Sequence, residues 1–424
     1  MKRLLLLMLF LSWPLGAVQA EESLQQKIDA LPEGAVIELE AGVYNEAITI
    51  KKPLTINGAD GAVFRVEGEK PAISIENTEN VAIRNVQIEQ GDTALLIQDS
   101  SNVTVERLRI IGADQAASVH RSKKLVLREL SIEGPDGHYS DKGNGIALYK
   151  SEDIEVSDNE IRNVRDGIYI EHAKGLRASG NSIQDSRYGV HLMYSEQVQI
   201  TGNHFSGNVT GVMLMMSNDS RIHSNIIEEH IMPNASGLVL YDADTIEVTD
   251  NSITSNALGL SLQKTGGSTV AGNRFFGNQI GMEFINSAET NKTKGNEFTG
   301  NIIQLRSDAR GGQIAGNYYD DAALLDLDED GYGDTPYTAM QSYGQWMVRE
   351  PVYQYFTEAP AVVLLNEMDR EMNRLTSLVL IDNSPLMEAP SDLQTSASVS
   401  LWRLVLGAAV MAFAAFIWRK ESAG

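Results

Sequence analysis

Two short segments carry histidine and methionine at matching positions 22 residues apart. They read YGVHLMYS at 188–195 and TGVMLMMS at 210–217, and in both of them variable residues alternate with a shared Val and Leu. The ligand-type residues at and directly after those variable positions are His191, Met193, Met213, Met215 and Met216. Imidazole nitrogen and thioether sulfur are ligands that suit copper, and thioethers select Cu(I) in particular. The two segments therefore predict a copper site, provided that the fold places them side by side.

Further residues near these segments extend the candidate copper site. His172 stands five residues after a glycine of the repeat, as Met216 does, and is included in the predicted ligand set. His223, His230 and Met232 lie within one or two repeats and could complete or relay the site. Two alternatives remain open, because methionines also line adaptable binding surfaces: the face could be covered by a partner protein, or it could be plain surface.

A second candidate metal site is the acidic segment DLDEDGYGDTPY at 326–337. Its carboxylates alternate along the chain, and a glycine permits a sharp turn among them. Oxygen ligands at this density and spacing are typical of a Ca²⁺ loop, in which one backbone carbonyl often takes part. The predicted ligands are Asp326, Asp328, Asp330 and Asp334, with the carbonyl of Tyr332. We predict a structural calcium site that finishes the fold, and the alternative is a solvated acidic turn.

The elements that must position these residues follow from an internal repeat. Asparagines of a recurring Asn-x-apolar pattern lie 21 to 26 residues apart, most often 22. They are Asn159, Asn181, Asn203, Asn225, Asn251, Asn273, Asn296 and Asn317. Short strands separated by Gly and Asn turns at this period predict an all-β fold, a parallel β-helix in which each coil of about 22 residues holds three strands. Room for about twelve or thirteen coils exists between residues 35 and 320.

Within each coil, the residues after a glycine alternate in polarity. The first and third residues after that glycine are apolar in every repeat from Gly167 to Gly281, which indicates a strand with one buried face. The second and fourth residues must then point outward, and these include His191, Met193 and Met213. A short amphipathic helix at 24–31 is predicted to cap the open end of the coil.

Asparagine is also expected at the corners between strands. Asn tolerates the left-handed backbone conformation that a tight corner needs, and stacked Asn side chains can form amide ladders. Four asparagines stand in Asn-x-x-Gly steps and are predicted to turn the chain without doing chemistry. They are Asn208, Asn234, Asn256 and Asn278.

Charge and composition exclude several classes of function. The net charge of −23 argues against nucleic-acid binding and permits cationic partners, including metal ions. The sequence contains no cysteine, which excludes disulfides and thiolate chemistry and leaves His, Met and carboxylates as metal ligands. Many β-helices act on acidic polysaccharides, and the best acid–base set for that chemistry is Asp166, Glu171 and His172. A carbohydrate-active enzyme (lyase, epimerase or hydrolase) therefore remains the alternative to a copper-handling protein, and a metal-free docking scaffold is the third possibility.

Both chain ends are predicted to lie outside the β-helix. Residues 1–20 combine a basic start, an apolar run and small residues before a cleavage point, as in an export signal peptide. The segment 399–418 contains an uninterrupted apolar run from Leu404 to Trp418 and is followed by the basic residues Arg419 and Lys420, which predicts a single membrane anchor in the inner membrane with a cytoplasmic tail at 419–424. The mature protein is thus expected in the periplasm.

Several of these segments together resemble the NosD family, periplasmic accessory proteins of nitrous oxide reductase maturation. The resemblance rests on RYGVHLMYSE beside GVMLMMS and on GNYYDDAALLDLDEDGYGDTPY, and it covers about residues 25–395. It implies a right-handed parallel β-helix that is not an enzyme. It also implies partners: an ABC-type ATPase and permease, a copper chaperone lipoprotein, and the reductase as the client that receives copper.

The predicted organisation has six parts, of which the fourth follows from the resemblance. They are the signal peptide at 1–20, the capped β-helix at 21–320, the acidic loop at 321–337, a partner-docking extension at 338–398, the anchor at 399–418 and the tail at 419–424.

Overall fold

The computed structural model describes residues 23–308, 311–339, 350–356, 359–373 and 380–390. The predicted signal peptide at 1–20, the anchor at 399–418 and the tail at 419–424 lie outside these residues. Within the described part of the chain, no helix has both the length and the apolar character needed to cross a bilayer.

The described chain winds into a parallel β-solenoid of 13 coils and forms three long sheets. Each of the first twelve coils contributes one strand to every sheet, and the last coil contributes to two of them. We call the sheets A, B and C in the order in which a coil visits them. Sheet A has thirteen strands: β1 Ala35–Leu39, β4 Leu54–Gly58, β7 Glu79–Arg84, β10 Ser101–Glu106, β13 Lys123–Arg128, β16 Glu152–Ser157, β19 Arg177–Ser179, β22 Gln199–Thr201, β25 Arg221–His223, β28 Glu247–Thr249, β31 Thr269–Ala271, β34 Lys292–Lys294 and β37 Gln313–Ala315.

Sheets B and C run beside sheet A along the solenoid. Sheet B has thirteen strands: β2 Gly42–Tyr44, β5 Ala62–Phe64, β8 Gln87–Glu89, β11 Arg109–Ile111, β14 Ser131–Glu133, β17 Glu160–Arg162, β20 Ser182–Gln184, β23 His204–Ser206, β26 Ile226–Glu228, β29 Ser252–Thr254, β32 Arg274–Phe276, β35 Glu297–Thr299 and β38 Tyr318–Tyr319. Sheet C has twelve strands: β3 Ile48–Ile50, β6 Ile73–Glu76, β9 Thr93–Gln98, β12 Gln115–His120, β15 Ile146–Tyr149, β18 Asp166–Glu171, β21 Tyr188–Met193, β24 Thr210–Met215, β27 Ser236–Tyr241, β30 Leu258–Gln263, β33 Ile280–Ile285 and β36 Ile303–Ser307.

The predicted fold class, strand count per coil and number of coils are confirmed. All pairings within the three sheets are parallel, and the register keeps like positions stacked, as in Val190 on Val212 and Leu192 on Leu214. These four side chains are fully buried, and the aliphatic rows that they continue form one core along the whole solenoid. Because the inward rows are apolar at every second residue, the alternate residues must face outward.

An asparagine ladder runs along the corner between sheets A and B. Each amide donates to the side-chain oxygen of the next coil; for example, Asn181 Nδ2 donates to Asn203 Oδ1 at 2.9 Å. The ladder agrees with the sequence-based expectation, but its backbone conformation does not. The left-handed residue is the one before each ladder asparagine, as at Asp158 (φ 55°) and Gly180 (φ 65°), because the asparagine itself must turn inward to reach its neighbour.

A second ladder follows the corner between sheets B and C and corrects one prediction. Asn208, Asn256 and Asn278 are buried in it as expected. Asn234 is not in the ladder: it is exposed with a left-handed φ of 65°, in a coil that is four residues longer than its neighbours. His230 takes the ladder position instead, because its Nδ1 can accept the backbone N–H of Asn208 at 3.0 Å.

Both ends of the solenoid are covered. Helix α1, Leu24–Ala30, starts with a Ser23 and Gln26 capping box and buries Leu24 and Ile28, so the predicted N-terminal cap is confirmed. At the other end, strands β39 Tyr337–Thr338 and β40 Ile381–Asp382 pair antiparallel. The buried Asp382 accepts from Asn317 Nδ2 at 2.9 Å and so ends the asparagine ladder. Two 3₁₀ turns, Tyr139–Asp141 and Pro351–Phe356, and helix α2, Pro360–Asn373, complete the described elements.

Candidate metal site

The outer face of sheet C brings the two His/Met segments together. Strands β21 and β24 pair in parallel, with His191 opposite Met213 and Met193 opposite Met215. Paired strands lie about 4.8 Å apart, so the four side chains form a two-by-two group on one face. We call His191, Met193, Met213 and Met215 the His/Met group.

His191 contacts two tyrosine rings and one carboxylate. Its side chain is 10% exposed, and the rings of Tyr169 and Tyr188 contact it edge to face at 5.1 and 4.9 Å between centroids. Its Nδ1 lies 2.9 Å from Oδ2 of Asp166. Its Nε2 is buried and has no hydrogen-bond partner in the described part of the chain. A buried ring nitrogen without a partner is uncommon and calls for an explanation such as a bound water or ion.

Asp166 is itself paired with an arginine. The carboxylate is 1% exposed and accepts two hydrogen bonds from Arg187, Nε to Oδ1 at 2.8 Å and a terminal nitrogen to Oδ2 at 2.6 Å. Burial alone would raise the pKa of this carboxyl, but the hydrogen bonds from His191 and Arg187 outweigh it, so the pKa of Asp166 is lowered. Arg187 also lies over the ring of Tyr188, 4.5 Å from its centroid. The carboxylate of Asp166 therefore carries a negative charge at neutral pH, and the positive charge of Arg187 balances it.

Met193 also has a polar neighbour. The hydroxyl of Tyr169 donates to Oε2 of Glu171 at 2.8 Å and lies 3.8 Å from the sulfur of Met193. Burial, followed by the hydrogen bond to Glu171, raises the pKa of Tyr169, so its hydroxyl keeps its proton at neutral pH. The carboxylate of Glu171 thus lies one strand away from the thioether, since Glu171 pairs in register with Met193.

Met213 and Met215 are half-buried on the next strand. On their far side they pair in register with Val239 and Tyr241 of β27, which ends the row of ligand types. The His/Met group therefore offers an imidazole nitrogen and up to three thioether sulfurs on one face. This set suits a soft monovalent ion such as Cu(I) and suits hard cations poorly.

The structure places the other two predicted copper ligands on the adjoining corner of the solenoid. His172 and Met216 have left-handed backbones with φ of 54° and 47°, as does Tyr194 between them. The ring of His172 stacks on Tyr194 with 5.1 Å between centroids. These three residues line a groove of about 510 Å³ with charged residues such as Lys174. His172 and Met216 thus form a neighbouring surface and are separate from the two-by-two group.

The residues suggested as a relay lie elsewhere. His223 is on sheet A, where its Nδ1 contacts Thr249 Oγ1 at 3.0 Å. His230 is fully buried in the corner ladder. Met232 is exposed in the lengthened loop that follows His230. None of the three belongs to a strand of sheet C.

The acidic loop brings three of its four predicted carboxylates together. Oxygen atoms of Asp326, Asp328 and Asp334 all lie within 4.8 Å of one another. Asp330 instead accepts the backbone N–H of Tyr332 at 2.9 Å. The proximity of the other carboxylates, that of Asp330 first, raises the pKa of Asp328. A bound cation would relieve the repulsion between these carboxylates. Calcium binding stays a prediction.

Sequence reasoning missed the residues that support His191. It identifies Asp166 only as a possible acid or base, and it does not link Arg187, Tyr169 or Tyr188 to the imidazole. The available signal was positional: Asp166 and Tyr188 both directly precede a repeat glycine and pair in register at the start of β18 and β21. Knowing that this position faces outward would have placed both beside His191.

Comparison with known proteins finds a family model that matches the central coils. Residues 128–324 match the model described as periplasmic copper-binding protein (NosD). Two curated relatives, each called probable ABC transporter binding protein NosD, come from Pseudomonas aeruginosa and Stutzerimonas stutzeri. They are 28% identical over 127 residues and 27% identical over 129 residues, which is 29% of this chain in both cases. The matched region spans about 30% of the length of each relative.

Solved structures support the fold. The A-module of the mannuronan C-5 epimerase AlgE6 from Azotobacter vinelandii superimposes with a TM-score of 0.57 at 18% sequence identity. The superposition covers 68% of this chain and 92% of that module. At this identity the similarity establishes the β-solenoid and nothing about activity. The family match, in contrast, includes every coil that carries the His/Met group, and the resemblance of this chain to the NosD family is confirmed.

Proposed function

We propose that this protein is a periplasmic copper-handling accessory protein that works with an ABC transporter and is not an enzyme. The observation that carries the proposal is the buried Nε2 of His191, which has no partner among the described residues and lies on a strand paired with methionines, inside the region that matches a copper-binding family. Copper would be its cargo, destined for a copper enzyme, with nitrous oxide reductase as the proposed client.

The ligand chemistry favours Cu(I) over the other ions of the periplasm. Three of the four side chains in the His/Met group are thioethers, which bind Zn²⁺ and Ca²⁺ poorly. The chain has no cysteine, so no thiolate competes for the ion. The half-buried methionines leave one side of the group open, which suits an ion that must be passed on rather than kept.

The proposed partners follow from the names of the relatives and from the chemistry of transfer. An ATPase and permease in the inner membrane would supply energy, a copper chaperone lipoprotein would donate the ion, and the client enzyme would receive it. The anchor at 399–418 would hold the solenoid beside the permease. Each of these partners is part of the proposal.

The test is a titration of the purified mature protein with Cu(I) against a competing chelator. We expect tight binding by the wild type and at least about a 100-fold loss of affinity in His191→Ala/Met193→Ala/Met213→Ala, because changes to residues that only support a metal ligand often cost 10–100-fold. The matched control is His204→Ala/Met232→Ala, which removes an exposed His and Met elsewhere on the solenoid. Equal affinities for wild type and triple variant would refute the proposed site.

The same preparation tests the alternative function. The fold is shared with a polysaccharide epimerase, and Asp166, Tyr169 and His191 are acid–base groups that lie together. In a lyase or epimerase, however, the base must reach the sugar, whereas the His191 side chain is only 10% exposed and Asp166 is paired with Arg187. Degradation or epimerisation of alginate by the metal-free protein would favour the enzyme over the copper carrier.

We also propose a structural Ca²⁺ in the acidic loop. Three carboxylates converge there, and the loop is tied to the C-terminal segment by Gly333 N–H donating to the carbonyl of Pro385 at 2.8 Å. Bound calcium would stabilise this end of the solenoid. The melting temperature should rise on adding Ca²⁺ to the wild type and should not respond in Asp328→Asn.

A further inference from the structure

One arrangement on the outer face of sheet C joins the proposed ligand His191 to two residues outside the ligand set. Arg187, Asp166 and His191 form a continuous chain of hydrogen bonds, in which Arg187 reaches both carboxylate oxygens and His191 reaches one of them. Both members of the Asp166–His191 contact are more than nine-tenths buried. Burying a charged carboxylate is costly, and Asp166 adds nothing to the apolar core of the solenoid, which lies on the other side of the sheet.

We infer that Asp166, held by Arg187, is a positioning residue that fixes the His191 ring with its proton on Nδ1 and so presents Nε2 as the copper-binding atom. The inference rests on the proposed function, because it concerns how the same site takes its ion. It goes beyond that function by naming the binding atom and the residues that prepare it.

The donor and acceptor pattern determines which nitrogen is free. An ionised carboxylate only accepts hydrogen bonds, so the nitrogen that contacts Asp166 must carry the proton. In a neutral imidazole, the other nitrogen then holds the lone pair. That nitrogen is Nε2, the atom left without a hydrogen-bond partner in the described residues. Metal-binding histidines commonly donate their second ring N–H to a carboxylate in this way, which orients the ring and increases its basicity.

Arg187 keeps the carboxylate from becoming a ligand itself. It donates to Oδ1 at 2.8 Å and to Oδ2 at 2.6 Å, and Oδ2 also accepts from His191. Both oxygens of Asp166 already accept hydrogen bonds, and the positive charge of Arg187 balances the negative charge. Asp166 is therefore a poor oxygen ligand, and the His/Met group itself offers nitrogen and sulfur, a set that favours Cu(I) over Ca²⁺ and Zn²⁺.

The ring is also fixed sterically. Tyr169 and Tyr188 contact His191 edge to face, with interplanar angles of 74° and 77°, so the imidazole is packed against two aromatic rings. A useful contrast is His204 on sheet B, whose Nε2 lies 2.9 Å from Glu228. There both side chains are more than a third exposed, so the pair is solvated and its geometry is not enforced. The Asp166–His191 pair is preorganised, and the His204–Glu228 pair is not.

The test compares Asp166→Ala with Glu228→Ala, which removes the carboxylate of the solvated pair. We expect Asp166→Ala to weaken Cu(I) binding about 10–100-fold and Glu228→Ala to leave it unchanged. Because Asp166→Ala leaves Arg187 without its partner, the double variant Asp166→Ala/Arg187→Ala removes both charges and should show the same loss. Circular dichroism and the melting temperature establish that each variant is folded.

A spectroscopic readout separates positioning from a merely structural role. Nitrogen-15 NMR of labelled histidine in the metal-free wild type should show the proton of His191 on Nδ1, and Cu(I) should then shift the Nε2 resonance. In Asp166→Asn, affinity must follow the tautomer: it stays high if Nε2 remains unprotonated and falls if the proton moves there. A proton on Nε2 in the wild type would overturn the inference.

The outcomes also distinguish the inference from the proposed function. If the wild type binds no Cu(I), the proposed function fails and the inference fails with it. If the wild type and Asp166→Ala/Arg187→Ala bind Cu(I) equally well, copper binding stands and the inference alone is overturned.

Discussion

His191 and His230 invite comparison because both are buried, they lie only two coils apart, and both leave Nε2 without a partner in the described residues. Their Nδ1 atoms have opposite partners. His191 Nδ1 meets the carboxylate of Asp166, so it donates. His230 Nδ1 meets the backbone N–H of Asn208 at 3.0 Å, so it must accept. The first ring therefore has a lone pair on Nε2, and the second has a proton there.

This difference shows that burial of a histidine does not identify a ligand. His230 stands where neighbouring coils have asparagine, and its ring serves as a ladder side chain that satisfies a backbone donor in the corner. His191 lies on the outer face of sheet C, and its described neighbours form a hydrogen bond with only one of its ring nitrogens, Nδ1. The partner of Nδ1, rather than the depth of burial, separates a structural imidazole from a candidate metal ligand.

The largest expected effect concerns the stability of the fold at low pH and belongs to His230. Burial lowers the pKa of His230 to about 4 from 6.5, so between these values the unfolded chain binds a proton that the folded chain does not. The contribution of this group to the free energy of unfolding should therefore be constant above pH 6.5 and fall by about 3 kcal/mol as the pH drops to 4.

Denaturant titrations at several pH values measure this loss. The variant His230→Asn restores the residue type of the ladder and should remove this part of the pH dependence. The same pH slope in wild type and variant would show that other groups are responsible.

The second effect is the difference between the two histidines in copper binding. His191→Ala should weaken Cu(I) binding by up to about 100-fold, since it removes the only nitrogen of the His/Met group. His230→Asn should leave the affinity unchanged, because its ring offers no lone pair to the outer face. Competition titrations of both variants measure the difference, and a comparable loss in His230→Asn would contradict the distinction between the two rings.

The third effect tests how tightly the ladder histidine is packed. A Cβ at Gly211 would lie 2.7 Å from His230 Nε2 and 2.6 Å from the carbonyl oxygen of Gly237. Gly211→Ala should therefore destabilise the fold by about 1–3 kcal/mol through overpacking. A third contact, to Ile227 Cγ2, is 2.9 Å. The loss should be smaller when His230→Asn is also present, since the shorter side chain relieves one of the three contacts. Equal losses in both backgrounds would place the strain at the contacts with Gly237 and Ile227.

The smallest effect is expected at the solvated pair. Glu228→Ala removes a hydrogen bond of 2.9 Å to His204, but both side chains are more than a third exposed. Such exposed pairs contribute about 0–1 kcal/mol, so thermal unfolding should barely change. A large change in the melting temperature would mean that exposed and buried His–carboxylate pairs on this solenoid are not as different as their exposure suggests.

Much of the scaffold could be predicted, because it repeats. The alternation after each repeat glycine predicts that Val190 and Leu192 point inward, and the same period places His191 opposite Met213. Errors arose where the period is broken. Asn234 matches the motif of the corner asparagines, but four extra residues in its coil move it out of the ladder and bring His230 in.

The coil, its three strands, the inward rows and the adjacency of the two His/Met segments could all be read from the sequence, because a period of 22 residues encodes which side chains stack. Which ring nitrogen is free could be read only from the folded protein, because it depends on Asp166 and Arg187, which lie at the starts of two neighbouring strands of sheet C. The same holds for the position of His172 and Met216 on the corner, because their left-handed backbones turn them away from the strand. The period determines which residues form each row, whereas the chemistry of the site depends on contacts between side chains of different rows.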